Sequence, residues 1–132
     1  MTEPLTPEEL DYLRSLLDMA REGSTEQLAA AIDAGVPANL TSASGDTLLI
    51  LAAYHDHPET VRALLERGAD PERVNDRGQT ALGAAVFRQS TEIVQALLAA
   101  GADPEAGGRS AIEIAEFFQL PEMLALLRSA SG

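Results

Sequence analysis

The chain contains no cysteine, no lysine and no tryptophan. Without cysteine there is no disulfide, no thiolate zinc site and no cysteine nucleophile, a composition that fits a reducing compartment. Without lysine there is no lysine-based covalent chemistry, and all nine basic residues are arginines. Aromatic residues are scarce, two Tyr and three Phe, so Leu and Ala must fill the interior. That bias favours helices, whereas a β-sandwich would draw on Val, Ile, Thr and aromatics. No apolar run reaches the roughly 18 residues of a spanning helix. The opening stretch MTEPLTPEELDYL has neither the basic nor the apolar segment of a signal peptide. These absences point to a cytoplasmic protein without membrane contact.

Positive charge is also in short supply. Twenty-one acidic residues against nine basic ones give a formal net charge of −12. That field repels phosphate backbones, which argues against nucleic acid and anionic membrane surfaces. It fits a protein partner with a basic patch, and equally a surface that is acidic only for solubility.

What the chain does have is an internal repeat, the first thing to look for in a sequence. Thr47–Ala53 reads TLLILAA, and Thr80–Val86, 33 residues later, reads TALGAAV. The same offset relates Val61-Arg62-Ala63-Leu64-Leu65 to Val94-Gln95-Ala96-Leu97-Leu98, and Gly68-Ala69-Asp70-Pro71-Glu72 to Gly101-Ala102-Asp103-Pro104-Glu105. A weaker copy upstream ends at Gly35, again 33 residues before Gly68. The downstream copy restarts at Ser110 after only 30 residues.

Within each copy the local signals predict two short helices. Thr47, Thr80 and Ser110 are N-cap residues, and Ser110 with Glu113 has the spacing of a capping box. Pro58 and Pro121 suit the first turn of a second helix; Ser24 and Ser90 offer N-caps at the corresponding points. Gly35, Gly68 and Gly101 suit the left-handed position after a helix. Helices shorter than about 12 residues are marginal alone, so these must be held by their neighbours, as in a solenoid.

This pattern resembles the ankyrin repeat, with its T-P-L-H-x-A-A opening, V-x-x-L-L second helix and G-A-D turn. The resemblance covers roughly residues 13 to 130. It departs where the opening Pro is Leu48, Ala81 or Ala111, and where the His is Ile50, Gly83 or Glu113. The predicted fold is all-α: a curved single-layer stack of about four helix-turn-helix repeats in one domain over residues 1–132. The repeats fall at roughly 5–45 (N-terminal cap), 46–78, 79–108 and 109–132 (C-terminal cap). Thr6-Pro7-Glu8-Glu9 predicts a capped helix from Pro7 towards Ala20 with Asp11, Arg14, Asp18 and Arg21 on its wet side. Residues 128–132 are expected to fray.

The resemblance implies a monomeric, non-enzymatic module that binds a protein on its concave face, built from loop tips and residues late in each first helix. The tips are 41–46 and 74–79, with Ser44, Asp46, Asp76, Arg77 and Gln79 as candidate contacts. The third tip is cut to 106–109, which should lower the rim there. Late in the first helices, Tyr54, Phe87 and Phe117 share one column, and His55, Arg88 and Phe118 the next. Four of the five aromatics fall in these columns. Aromatics beside an Arg are the residues of interface anchors, although the same rings could instead close the core. An inhibitor that masks a basic target is one variant of this reading. The alternatives are a small-ligand binder or enzyme with a pocket around Tyr54, His55 and Arg88, and a structural stabiliser of an oligomeric complex.

Motifs for chemistry are missing. There is no G-x-S-x-G elbow and no phosphate loop. His55 and His57 flank Asp56 at a helix end, where positions two apart do not share a face, so a metal site is not expected, nor any cofactor. The resemblance gives His57 a structural role before the second helix. Glu8-Glu9, and Asp103 with Glu105, sit in helix starts and turns, where they are solvated. Asp70 and Asp103 are expected to bond local backbone N–H groups.

Overall fold

A computed structural model describes residues 6–131, without the side chains of residues 130 and 131; the first five residues and Gly132 of the expected domain lie outside the described residues. Eight helices follow one another: α1 Pro7–Glu22, α2 Thr25–Asp33, α3 Leu48–Tyr54, α4 Pro58–Glu66, α5 Ala81–Phe87, α6 Thr91–Ala99, α7 Ala111–Phe117 and α8 Pro121–Ser131. They pair in sequence and stack in two rows. Helices α1, α3, α5 and α7 each touch the next in an inner row, and α2, α4, α6 and α8 do so in an outer row. Among the described residues there is no strand, only an isolated antiparallel bridge between Thr41 and Thr47.

Hydroxyl caps start the inner helices as their sequence predicts. Thr47, Thr80 and Ser110 Oγ atoms accept from the N–H groups of Ile50, Gly83 and Glu113 at 3.0, 3.0 and 3.2 Å. All three capping residues are buried, so each also satisfies a donor that water could not reach, an effect of about 1 kcal/mol per cap. Thr6 and Glu9 form the complete reciprocal capping box. Ser110 and Glu113 make only half of one: the hydroxyl accepts, but the Glu113 carboxylate does not return to the cap.

The second helices start differently. Ser24 makes no side-chain capping bond, and Ser90 only a long one of 3.5 Å. In place of the Ser24 cap, Thr25 Oγ1 lies 2.6 Å from buried Thr60 Oγ1, joining the outer helices of two repeats. Pro58 and Pro121 do open their helices. Gly35, Gly68 and Gly101 have positive φ just past the ends of α2, α4 and α6. Helix α8 continues to Ser131, through most of the stretch where fraying was expected.

The core lies between the rows. Leu28, Leu49, Leu64, Leu82, Val94, Leu97 and Leu127 are essentially inaccessible to water. At about 25 cal/mol per Å² of apolar surface, this shared interior holds together helices that are seven or nine residues long and could not persist alone. Polar staples tie the turns of adjacent repeats. Asn39 Oδ1 accepts from the Asp70 N–H, and Glu72 Oε1 from the Asp103 N–H, both at 2.7 Å. Asp70 and Asp103 also accept from the N–H two residues on, at 2.9 Å each. On the outer row Arg62 pairs with Glu92 and Arg67 with Asp33.

His57 is structural. Its Nε2 lies 2.7 Å from the Arg21 carbonyl. The ring passes so close to Gly23 that a Cβ there would stand 2.5 Å from Nδ1, and Gly23 also has φ +75°. Only glycine satisfies both demands. His57 therefore clamps the first repeat to the second. Among the described residues no group of three or more His, Asp or Glu is placed to hold a metal ion.

Candidate interaction face

The inner helices present one face to solvent, and its composition follows from spacing. Residues four apart lie on the same side of a helix. Ile50 and Tyr54 in α3, Gly83 and Phe87 in α5, and Glu113 and Phe117 in α7 are such pairs. Inward positions are spent on Leu and Ala, so this face is where the large rings emerge. Tyr54, Phe87, Phe117 and Phe118 are 44, 45, 79 and 49% exposed.

The rings form one continuous ladder. Tyr54 and Phe87 stack nearly parallel at a centroid distance of 6.2 Å. Phe87 meets Phe118 edge to face at 5.6 Å, and Phe118 meets Phe117 likewise at 4.9 Å. His55 caps the other end, edge-on to Tyr54 at 5.4 Å. Each contact contributes on the order of 1 kcal/mol beyond its buried area, so the strip is preorganised. The histidine titrates below its usual value near 6.5, because partial burial disfavours the imidazolium; the charges of His57, Arg21 and Arg88 act in the same direction.

The loop tips are braced rather than free. Asn75 is buried and its amide is fully used. Its oxygen accepts from the N–H groups of Arg77 and Gln79, and its nitrogen donates to Asp46 Oδ1 and Gln79 Oε1 at 2.7 and 2.8 Å. The Asp76 N–H donates to the Ser44 carbonyl, and the Ser44 hydroxyl donates to Asp46. The two tips are thus zipped together. Asp46 and Gln79 spend polar atoms inside this network, whereas the Asp76 and Arg77 side chains remain exposed; Arg77 reaches Asp46 only at 4.0 Å.

The next loop, residues 106–109, is too short to repeat this. Arg109 N–H only approaches the Gly78 carbonyl, at 3.5 Å. Gly107 packs so tightly that a Cβ would stand 2.9 Å from Gly78 O. Beside this loop a groove of about 510 Å³ opens along the ladder. Ile50, Gly83, Ala84 and Ile114 form its apolar lining, the four exposed rings line it too, and Gln79, Arg109 and Glu113 are its polar residues.

Of the residues singled out by sequence, Tyr54, Phe87, Phe117, Phe118 and Gln79 meet at this groove. His55 and Arg88 flank the ladder without lining it; Ser44, Asp46, Asp76 and Arg77 lie on the braced tips. Arg109 and Glu113 line the groove as well, although the sequence marks them only as the last residue of the shortened tip and as the capping partner of Ser110. The 30-residue offset is the signal that could have found them, because it marks where a tip is cut back.

Among the described residues, no helix is long and apolar enough to cross a membrane. A 58-residue stretch is 41% identical to an ankyrin repeat protein of Pseudomonas aeruginosa. That match takes in 44% of this chain and 34% of the relative, so it reaches across only about a third of the relative's length. The family model for ankyrin repeats in three copies matches residues 16–128. Ankyrin repeats are in general protein-interaction modules, and with a match over most of its length this chain belongs to the ankyrin repeat family.

Proposed function

We propose that the chain is a non-catalytic binding module that captures a protein partner on the face carrying the aromatic ladder. The observation behind this is the exposure of four mutually packed rings drawn from three successive repeats. Large rings ordered before binding lose little entropy on complex formation, which is why aromatics dominate interface energetics. Affinity capture from the native host tests the reading. A Tyr54→Ala/Phe87→Ala variant should lose the captured partner while its helical circular dichroism stays intact. Loss of the helical signal would instead make the rings part of the core, and undiminished capture would place binding elsewhere.

Charge supports a second contact region. Helices α3 and α5 carry no charged residue, and α7 carries only Glu113 and Glu116. The acidity lies mostly on α1, the outer row and the turns. A partner with a basic rim around an apolar centre fits that division, and its association should slow as salt rises.

A further inference from the structure

We propose that the groove beside the short fourth-repeat loop is an anchor site for an extended peptide segment of the partner. It takes one bulky apolar side chain, with a carboxylate of the same segment held by Arg109. The assignment rests on the protein-binding reading of this face and narrows it to one pocket and one chemistry.

Size comes first. At about 510 Å³ the groove falls within the roughly 300–1,000 Å³ typical of ligand sites, so it holds a side chain rather than merely touching one. Two departures from the repeat pattern border it. The loop before α7 is three residues short, and Gly83 stands inside a helix. Glycine there costs up to about 1 kcal/mol relative to Ala. A Cβ at Gly83 would meet Ile114 Cδ1 at 3.1 Å and narrow the floor.

Charge selects the occupant. Seven of the nine arginines make ion pairs within the chain. Arg88 and Arg109 make none among the described residues, and only Arg109 lines the groove. Glu113 lines it as well but lies beyond ion-pair distance of Arg109, so the guanidinium fork is free. Such a fork matches a carboxylate with two parallel hydrogen bonds. Glu113 opposes the incoming carboxylate and sets a limit on affinity.

The test begins with a phage-displayed library of random twelve-residue peptides selected against the whole chain. The best synthetic peptide and its Glu→Gln counterpart are then titrated by fluorescence anisotropy. Recovered peptides should pair a large apolar residue with an acidic one. Arg109→Gln should weaken the acidic peptide about tenfold and leave the neutral one within about twofold, while Glu113→Gln should tighten the acidic peptide. A three-residue insertion between Gly107 and Gly108 should abolish binding of both, with the helical circular dichroism unchanged. Enrichment of basic peptides, no enrichment, or an equal loss for both peptides in Arg109→Gln overturns the proposal. Capture of the native partner separates the two readings. If Phe87→Ala abolishes capture but Arg109→Gln and the insertion do not, the aromatic face binds and the anchor site is wrong. If Phe87→Ala leaves capture intact as well, both fall.

Discussion

Helices α5 and α7 have the same length and the same kind of cap, yet they are packed very differently. Six of the seven residues of α5 are buried, against only Ala111 and Ala115 in α7. Helix α5 has α3 on one side, α7 on the other and α6 behind it; among the described residues α7 packs chiefly against α5 and α8. The segments before them differ as well: one tip is zipped to its neighbour through Asn75, and the other is a short glycine loop. In a stack with nearest-neighbour energetics, burial is set by what lies on either side of a helix more than by its own residues. The groove sits at the boundary between the two regimes, where a well-packed helix meets a half-covered one.

The largest expected effect tests that contrast directly. Leu82→Ala in α5 should cost about 2–5 kcal/mol, as expected for a fully buried leucine. Ile112→Ala at the corresponding place in α7 is only partly buried and should cost roughly half as much. Urea denaturation of the two variants measures both, and equal losses would mean that the end repeat is packed as firmly as the middle one. Next comes the tip. Asn75→Ala removes a buried amide with four hydrogen bonds and should destabilise by about 1–3 kcal/mol. A change near zero would show that the zipper between tips is ornamental.

Smaller gains are expected where the inner helices end. Asp56, Gln89 and Gln119 have φ of 61, 56 and 54°, a left-handed conformation that is costly for side chains other than glycine. Gln89→Gly and Gln119→Gly should each stabilise by about 0.5–1 kcal/mol, and Asp56→Gly by less, since Asp tolerates this region better. A lowered melting temperature would mean that the glutamine side chains hold contacts worth more than the strain.

The smallest effect concerns pH. The folded state holds the His55 proton less tightly than the unfolded chain does, because burial disfavours the charged ring. Its stability contribution is therefore complete above the unfolded value near 6.5 and declines as pH falls through the lower folded value. His55→Gln should flatten the dependence of melting temperature between roughly pH 7.5 and 5.5. An unchanged slope would assign it to other groups.

Much of this architecture was legible beforehand. The 33-residue period, the capping hydroxyls of Thr47 and Thr80, the glycines at 35, 68 and 101 and the aromatic columns are local features with local causes, so the sequence displays them. Where two local options competed, the sequence misled. Ser24 looked like a cap, but its neighbour Thr25 reached across to Thr60, a partner 35 residues away.

By itself, then, the sequence determined the repeating unit, its helices and the fact that they must stack, because caps, turns and apolar spacing act over a few residues. It also determined that the third tip is three residues short. Only the tertiary structure decided which rings stay exposed, that Asp46 and Gln79 are braced between the two full tips, and that Arg109, without an ion pair among the described residues, borders an open groove. Exposure and the pairing of Arg62, Arg67 and Arg77 depend on residues thirty or more positions apart in the chain, and no short stretch of sequence carries that information.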